Sequence, residues 1–242
     1  MMRGAVLPIL LLAAWETASR CGLIDPHILP PLEIVAAGAW NPALPGDLAA
    51  SLMRDLTGFA LGTAAGVLFG GLLGLSRVAA RLLLPSFDFV KQIAIFAWIP
   101  LIAMWFGVGE TAKIVFIALA AFTPVVVNTI EGIGSAPRPL LEVGAVLTFG
   151  RFQRIRRIII PAALPAIMTG LQLALIYAWL ATIGAEYFMT AGPGIGSLIV
   201  DGRERFQMSE VMLGVVLLGC IGFVFARLAA TLEARLLRWR QV

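Results

Sequence analysis

A chain of 242 residues that is 60% hydrophobic and 13% charged is not a soluble domain, where about a quarter of residues carry charge. Its length allows about six membrane-spanning helices with short loops and excludes an additional soluble domain. The net charge of +4 follows loop positions and forms no nucleic-acid-binding stripe. Cys21 and Cys220 lie far apart and His27 is the one histidine, so neither a disulfide nor a metal site is expected.

The first apolar run, AVLPILLLAAW, follows Arg3 and is interrupted by Glu16. It reads as a retained helix running to about Ser19 with its N-terminus inside; a cleaved signal peptide is the alternative. Arg20 is a poor residue before a lipid-modified Cys21. Residues 20–50 hold prolines at 26, 30, 31, 42 and 45. They read as turns around one short helix over residues 32–40, on the outside. Residues 1–50 thus form a first span and an outer connector, and residues 51–242 a core of five further spans.

The uncharged run 56–75 is the second span. Gly58, Gly62, Gly66, Gly70 and Gly74 form one stripe that permits close helix packing. Arg77 and Arg81 mark the inside. Residues 92–109 are expected to form a third span, shaped by Pro100, and Glu110 and Lys113 a short outer turn. The fourth span, 114–133, contains Pro124 and Asn128, with Glu131 near its inner end. The fifth, about 166–189, carries Gln172, Tyr177 and Glu186. Residues 191–209 read as an outer loop whose glycine spacing is not that of a phosphate loop. The sixth span, 211–230, leads to a tail with Arg235, Arg238, Trp239 and Arg240.

Between the fourth and fifth spans, residues 135–165 form the longest polar break. It carries Arg138, Arg151, Arg154, Arg156 and Arg157 against one acid, Glu142. Such a loop belongs in the cytoplasm, and with Arg3, Arg77, Arg81, Lys91, Arg227 and the basic tail it places both termini inside. Residues 140–149 read as a short helix with apolar faces, started by Pro137 and Pro139 and with Glu142 near its positive end. It has the form of a plug for a partner's groove.

This loop resembles the EAA motif of ABC importer permeases. That pattern is Glu-Ala-Ala, three residues, Gly, nine residues, then Ile-x-Leu-Pro. Glu142, Ile158 and Pro161 match at the right spacing, whereas Gly144, Thr148 and Ile160 depart, and Gly150 stands two positions past the family glycine. Thr lacks the left-handed freedom of Gly, so the family conformation is not carried over to Thr148. The resemblance extends over nearly the whole chain. ETASRCGLIDPHILPP, IPLIAMWFGVGETAKI, PAALPAIMTGLQLALIYAWLATIGAEYF and GPGIGSLIVDGRERFQ are similar to permeases of the alkanesulfonate, taurine and nitrate branch. Prolines usual in that branch are replaced by Ala94 and Ile95, which bears on how the third span bends.

The resemblance implies an all-α integral membrane protein of the type I ABC importer permease fold, a multi-pass component of the bacterial inner membrane. It implies a permease homodimer, two cytoplasmic ATPase subunits and an extracytoplasmic binding protein, with membrane lipid around the spans and no nucleic acid. Coupling to the ATPase falls to Leu140, Leu141, Glu142, Gly144, Ala145, Thr148, Gly150, Ile158 and Pro161. Asn128, Gln172 and Glu186 are the candidates for the translocation path. The chain has no phosphate loop, so ATP hydrolysis is expected in a partner, and no cofactor is expected here. The alternative is a stand-alone secondary carrier, which would need ion-coupling acids or histidines deep in the spans. A membrane-embedded enzyme would need a cluster of such residues near an interface.

Overall fold

The computed structural model describes residues 6–189 and 192–236, apart from the side chains of residues 8, 9 and 236. The expected end anchors Arg3, Arg238, Trp239 and Arg240 lie outside the described residues. Among the described residues all regular structure is helical: α1 (Val6–Arg20), α2 (Leu32–Ala37), α3 (Leu44–Leu75), α4 (Arg77–Val90), α5 (Ile99–Phe106), α6 (Glu110–Gly134), α7 (Arg138–Val146), α8 (Arg151–Arg154), α9 (Ile160–Phe188), α10 (Ile195–Glu204) and α11 (Met208–Leu236).

Four of these stretches are long and apolar enough to cross a membrane: Leu44–Leu75, Glu110–Gly134, Arg151–Phe188 and Met208–Arg235. A fifth candidate is the pair formed by α4 and Ile95–Phe106, bent by 93°. The expectation of one continuous helix over residues 92–109 is therefore corrected. Residues 91–94 turn the chain, a 3₁₀ turn follows at Ile95–Trp98, and only then does α5 begin, with Pro100 in its first turn. Proline lacks an N–H and is tolerated there, so it starts this helix and does not kink one. The bend forms although Ala94 and Ile95 replace the branch's prolines.

α3, α6 and α9 make the central layer. α3 begins twelve residues before the expected second span, with Pro45 and Asp47 in its first turn. Residue 50, the expected division between first-span segment and core, thus lies within α3. The glycine stripe of α3 faces α6. A Cβ on Gly62 would stand 2.2 Å from the Ala118 carbonyl oxygen, and one on Gly66 2.8 Å from Val125 Cβ. Backbones this close are the means by which transmembrane helices gain packing without a hydrophobic driving force. Phe116, Ile117, Ala121, Val125, Ala174 and Ala178 fill the layer and are fully buried.

α9 starts from an unusual turn. Pro161 has no N–H to give and its ring crowds the carbonyl four residues back. The chain widens into a π turn at Ile155–Ile159 just before it, so α8, the π turn and α9 continue as one rod. Trp179 joins α9 to α11, donating from Nε1 to the Leu218 carbonyl at 3.2 Å and meeting Phe225 edge-on. The expected outer loop over 191–209 contains α10, which packs on α9 and α11. Leu68, Met104, Trp105, Ile176 and Phe223 remain exposed on the outside of the bundle. An apolar surface of this extent suits lipid or a further subunit and not water.

Candidate functional site

The end of the bundle where α3 and α6 begin and α9 finishes is closed by charged groups. Arg54 of α3 reaches Glu110 at the start of α6 through two bonds, Nε to Oε2 at 2.5 Å and Nη2 to Oε1 at 2.6 Å. Its Nη1 donates to Glu186 Oε1 of α9 at 2.7 Å. Ser51 Oγ donates to the same oxygen, and the Gly196 N–H donates to Glu186 Oε2, each at 2.7 Å. Ile195 N–H bonds Ser51 Oγ at 3.0 Å, and Gly194 N–H bonds Asp47 Oδ1 at 3.0 Å. A Cβ on Gly196 would fall 2.5 Å from Glu186 Cβ, so only glycine lets this backbone close over the carboxylate. Charge-assisted bonds of this kind are roughly twice as strong as neutral ones.

One candidate is placed and one expectation corrected. Glu186, a candidate for the translocation path, is fully buried and accepts three hydrogen bonds from two elements, α3 and α10. Glu110 and Lys113 do not form an outer turn; they belong to the first turn of α6, and Lys113 is buried. Beside the network, Thr182 Oγ1 bonds Asp55 Oδ1 at 3.0 Å, while Asp55 Oδ2 has no hydrogen-bond partner among the described residues.

Deeper along the bundle lies a cavity of about 580 Å³. Its walls are the α4–α5 break, residues 119–128 of α6 and residues 173–181 of α9. Asn128 lines it and donates from Nδ2 to the Pro124 carbonyl at 2.8 Å, a bond within its own helix. Gln172 sits elsewhere: its Nε2 reaches Glu233 Oε2 of α11 at 2.6 Å. The three path candidates Asn128, Gln172 and Glu186 therefore do not converge.

At the opposite end of the bundle stand α7 and α8. Pro137 and Pro139 flank the first residue of α7, where missing N–H groups cost nothing. Leu140, Val143 and Leu147 share one face at i, i+3 and i+7, and each is more than half exposed. Val146 is 82% exposed beside them. The helix closes with a Schellman motif: Phe149 N–H bonds the Gly144 carbonyl at 2.9 Å and Thr148 N–H the Ala145 carbonyl at 3.0 Å. Thr148 holds φ +54°, the left-handed angle that glycine usually supplies in such a motif. The left-handed conformation thus forms without the glycine.

Gly144 is buried against Ile158, whose Cδ1 would lie 2.8 Å from a Cβ there. Gly144 and Ile158 thus fix α7 to the π turn that leads into α9. Leu141 is half-buried, whereas Glu142, Ala145 and Gly150 are exposed. Arg157 stacks on Phe149 at 5.3 Å from the ring centroid, and Gly150 N–H bonds Gln153 Oε1 at 3.2 Å at the entry to α8.

The partners of Glu186 were not legible in the sequence. Arg54 and Ser51 lie some 130 residues upstream, and no local pattern links them. One signal was present: Arg54 and Asp55 sit just before an uncharged run, which marks a span that begins earlier than residue 56. Lys91, which lines the cavity, was hidden by the expectation that the third span begins after it.

Residues 62–238 match the family model described as "Binding-protein-dependent transport system inner membrane component". The chain is 36% identical to the putative aliphatic sulfonates transport permease protein SsuC of Bacillus subtilis, over 99% of this chain and 88% of that protein. It is 35% identical to the bicarbonate transport system permease protein CmpB of Synechococcus elongatus, over 78% and 68%, and 31% identical to the taurine transport system permease protein TauC of Escherichia coli, over 95% and 86%. Its fold is similar to a chain of the MetNI methionine ABC transporter in an inward-facing crystal form, with TM-score 0.60 and 18% identity over 78% of this chain and 95% of that one.

Proposed function

Since the chain belongs to the family of binding-protein-dependent transport system inner membrane components, and is a multi-pass ABC transporter permease, we propose that it couples to separate cytoplasmic ATPase subunits through residues 135–165 and imports a small anion. Two copies would form the channel, each with six spans and both termini in the cytoplasm. α1 supplies the first span of the six and residues 51–242 the permease core. An extracytoplasmic binding protein would deliver the solute.

The observation that carries this reading is the exposed face of α7. Leu140, Val143 and Leu147 project at the spacing by which an amphipathic helix fills a partner's groove. Gly144 and Ile158 seat the helix on the rod that continues as α9, so a push on α7 is delivered to a span lining the central cavity. Glu142, exposed on the same helix, and Arg151 supply the polar rim of the contact. The relatives named for aliphatic sulfonates, taurine and bicarbonate support an anion as cargo. Nitrate belongs to the same proposed class.

The test is purification of the chain from its native membrane in mild detergent, with mass spectrometry of what accompanies it. The expected result is an ATPase subunit at one copy per chain, lost when residues 140–149 are replaced by Gly and Ser. Recovery of the chain alone, with uptake in vesicles that needs no ATP, would overturn the reading in favour of a stand-alone carrier.

A further inference from the structure

The 93° break between α4 and α5 leaves a lysine in an unusual place. Lys91 is the first residue after α4, and it lines the cavity of about 580 Å³ together with residues 119–128 and 173–181. Those residues are the central parts of α6 and α9, so Lys91 borders a cavity walled by the middle of two candidate spans. Among the residues lining the cavity it is the one that carries charge. Its side chain is 30% exposed; Nζ lies 2.7 Å from Asp88 Oδ1 and 5.8 Å from the Phe87 ring centroid. Asp88 does not line the cavity. It steadies the ammonium from behind and leaves the remaining two N–H donors for another acceptor.

An ionisable group that faces a cavity between spans marks a solute pathway by default. The rest of the wall selects the type of solute. Gln92, Thr123, Asn128 and Tyr177 offer hydrogen bonds, and Phe96, Leu119 and Leu180 offer apolar surface. The volume falls within the range usual for small-molecule sites. We infer that this cavity is a transit site for a small organic anion, whose headgroup meets Lys91 while a short apolar tail lies against the α6 and α9 wall. This rests on the importer reading above. It goes beyond that reading in assigning the anion's contact to one residue, at the helix break and away from Glu186 and Gln172.

The test uses the full complex with its ATPase and binding protein in proteoliposomes, and measures ATP hydrolysis and uptake in the same vesicles. The probes are labelled taurine, hexane-1-sulfonate and bicarbonate. Lys91→Gln is expected to lower anion uptake per ATP by about tenfold or more, the size of a lost hydrogen bond to a charged group, with binding-protein-stimulated hydrolysis retained. Lys91→Arg and Asp88→Asn, which keep a cation in the cavity, are expected to retain uptake. Wild-type uptake by Lys91→Gln overturns the site, as does an Asp88→Asn loss equal to that of Lys91→Gln, since the pair would then be merely structural. Should Lys91→Gln not assemble, Asn128→Asp places a negative charge in the same cavity; a loss of uptake is expected, and wild-type uptake overturns the site. Uptake that proceeds equally without ATP overturns the importer reading and leaves the lysine comparison readable. No uptake of any probe overturns the anion class.

Discussion

At one end of the bundle Arg54, Glu110, Ser51 and Glu186 close on one another, and the backbone of residues 194–196 closes over them. At the other end Leu140, Val143, Val146 and Leu147 stay exposed on a short helix that this chain seats but does not cover. The first end pairs Arg54 with Glu110 and Glu186 and joins three spans into one piece. The second end presents apolar area that becomes favourable only when another surface takes it from water. The contrast separates residues that hold the permease together from residues proposed to meet a partner. Substitutions at the two ends should therefore fail in different assays.

The largest effect is expected at the closed end. Arg54→Ala leaves Glu186 buried without its cation, and breaking one side of a buried pair costs about 3–5 kcal/mol. Thermal unfolding in detergent should show a marked loss, together with poor recovery from membranes. Unchanged unfolding would mean that the network does not join α3, α6 and α9. Next comes Gly62→Leu, which drives a side chain into the Ala118 carbonyl. Overpacking of this kind costs about 1–3 kcal/mol. The expected readout is a lower unfolding temperature and separation of α3 from α6 in cysteine cross-linking across that contact; wild-type cross-linking would count against the packing.

The open end should behave in the opposite way. Leu140→Asp with Val143→Asp is expected to leave the unfolding of the isolated chain within about 0.5 kcal/mol, as surface changes usually do. The same pair should weaken ATPase binding by about 2 kcal/mol or more if these residues are interface anchors. Equal loss of stability and of binding would erase the distinction between the two ends. The smallest effect is expected at Thr148. Thr148→Gly removes the cost of a left-handed angle at a residue with a Cβ and should stabilise the loop by about 1 kcal/mol. A destabilised loop, read by protease cleavage near residue 148, would show that the hydroxyl bond to Leu147 matters more than the backbone angle.

The fold was legible where one signal was strong and local. Apolar runs located the long helices α3, α6, α9 and α11, and the glycine stripe foretold a close helix contact, which α6 makes. Prolines at 137 and 139 marked the start of α7. What failed to show depended on contacts distant in sequence or on a helix break without a proline or glycine. The turn over residues 91–94 holds neither, so nothing in Lys91-Gln92-Ile93-Ala94 signalled the break between α4 and α5. The network around Glu186 was hidden because its partners Ser51 and Arg54 belong to another helix. Thr148 kept the left-handed angle because two Schellman bonds and the Phe149–Gly144 contact outweigh its preference.

The most direct test of the account is site-specific cross-linking in the intact complex, in a background with Cys21 and Cys220 replaced by Ser. One cysteine is placed at Val146 on α7, or at Trp40 beside α2, both highly exposed. The account predicts a cross-link from Val146→Cys to the ATPase subunit and none from Trp40→Cys. A cross-link from Trp40→Cys, or an ATPase that co-purifies yet never cross-links to Val146→Cys, would contradict the assignment of α7 as the coupling element.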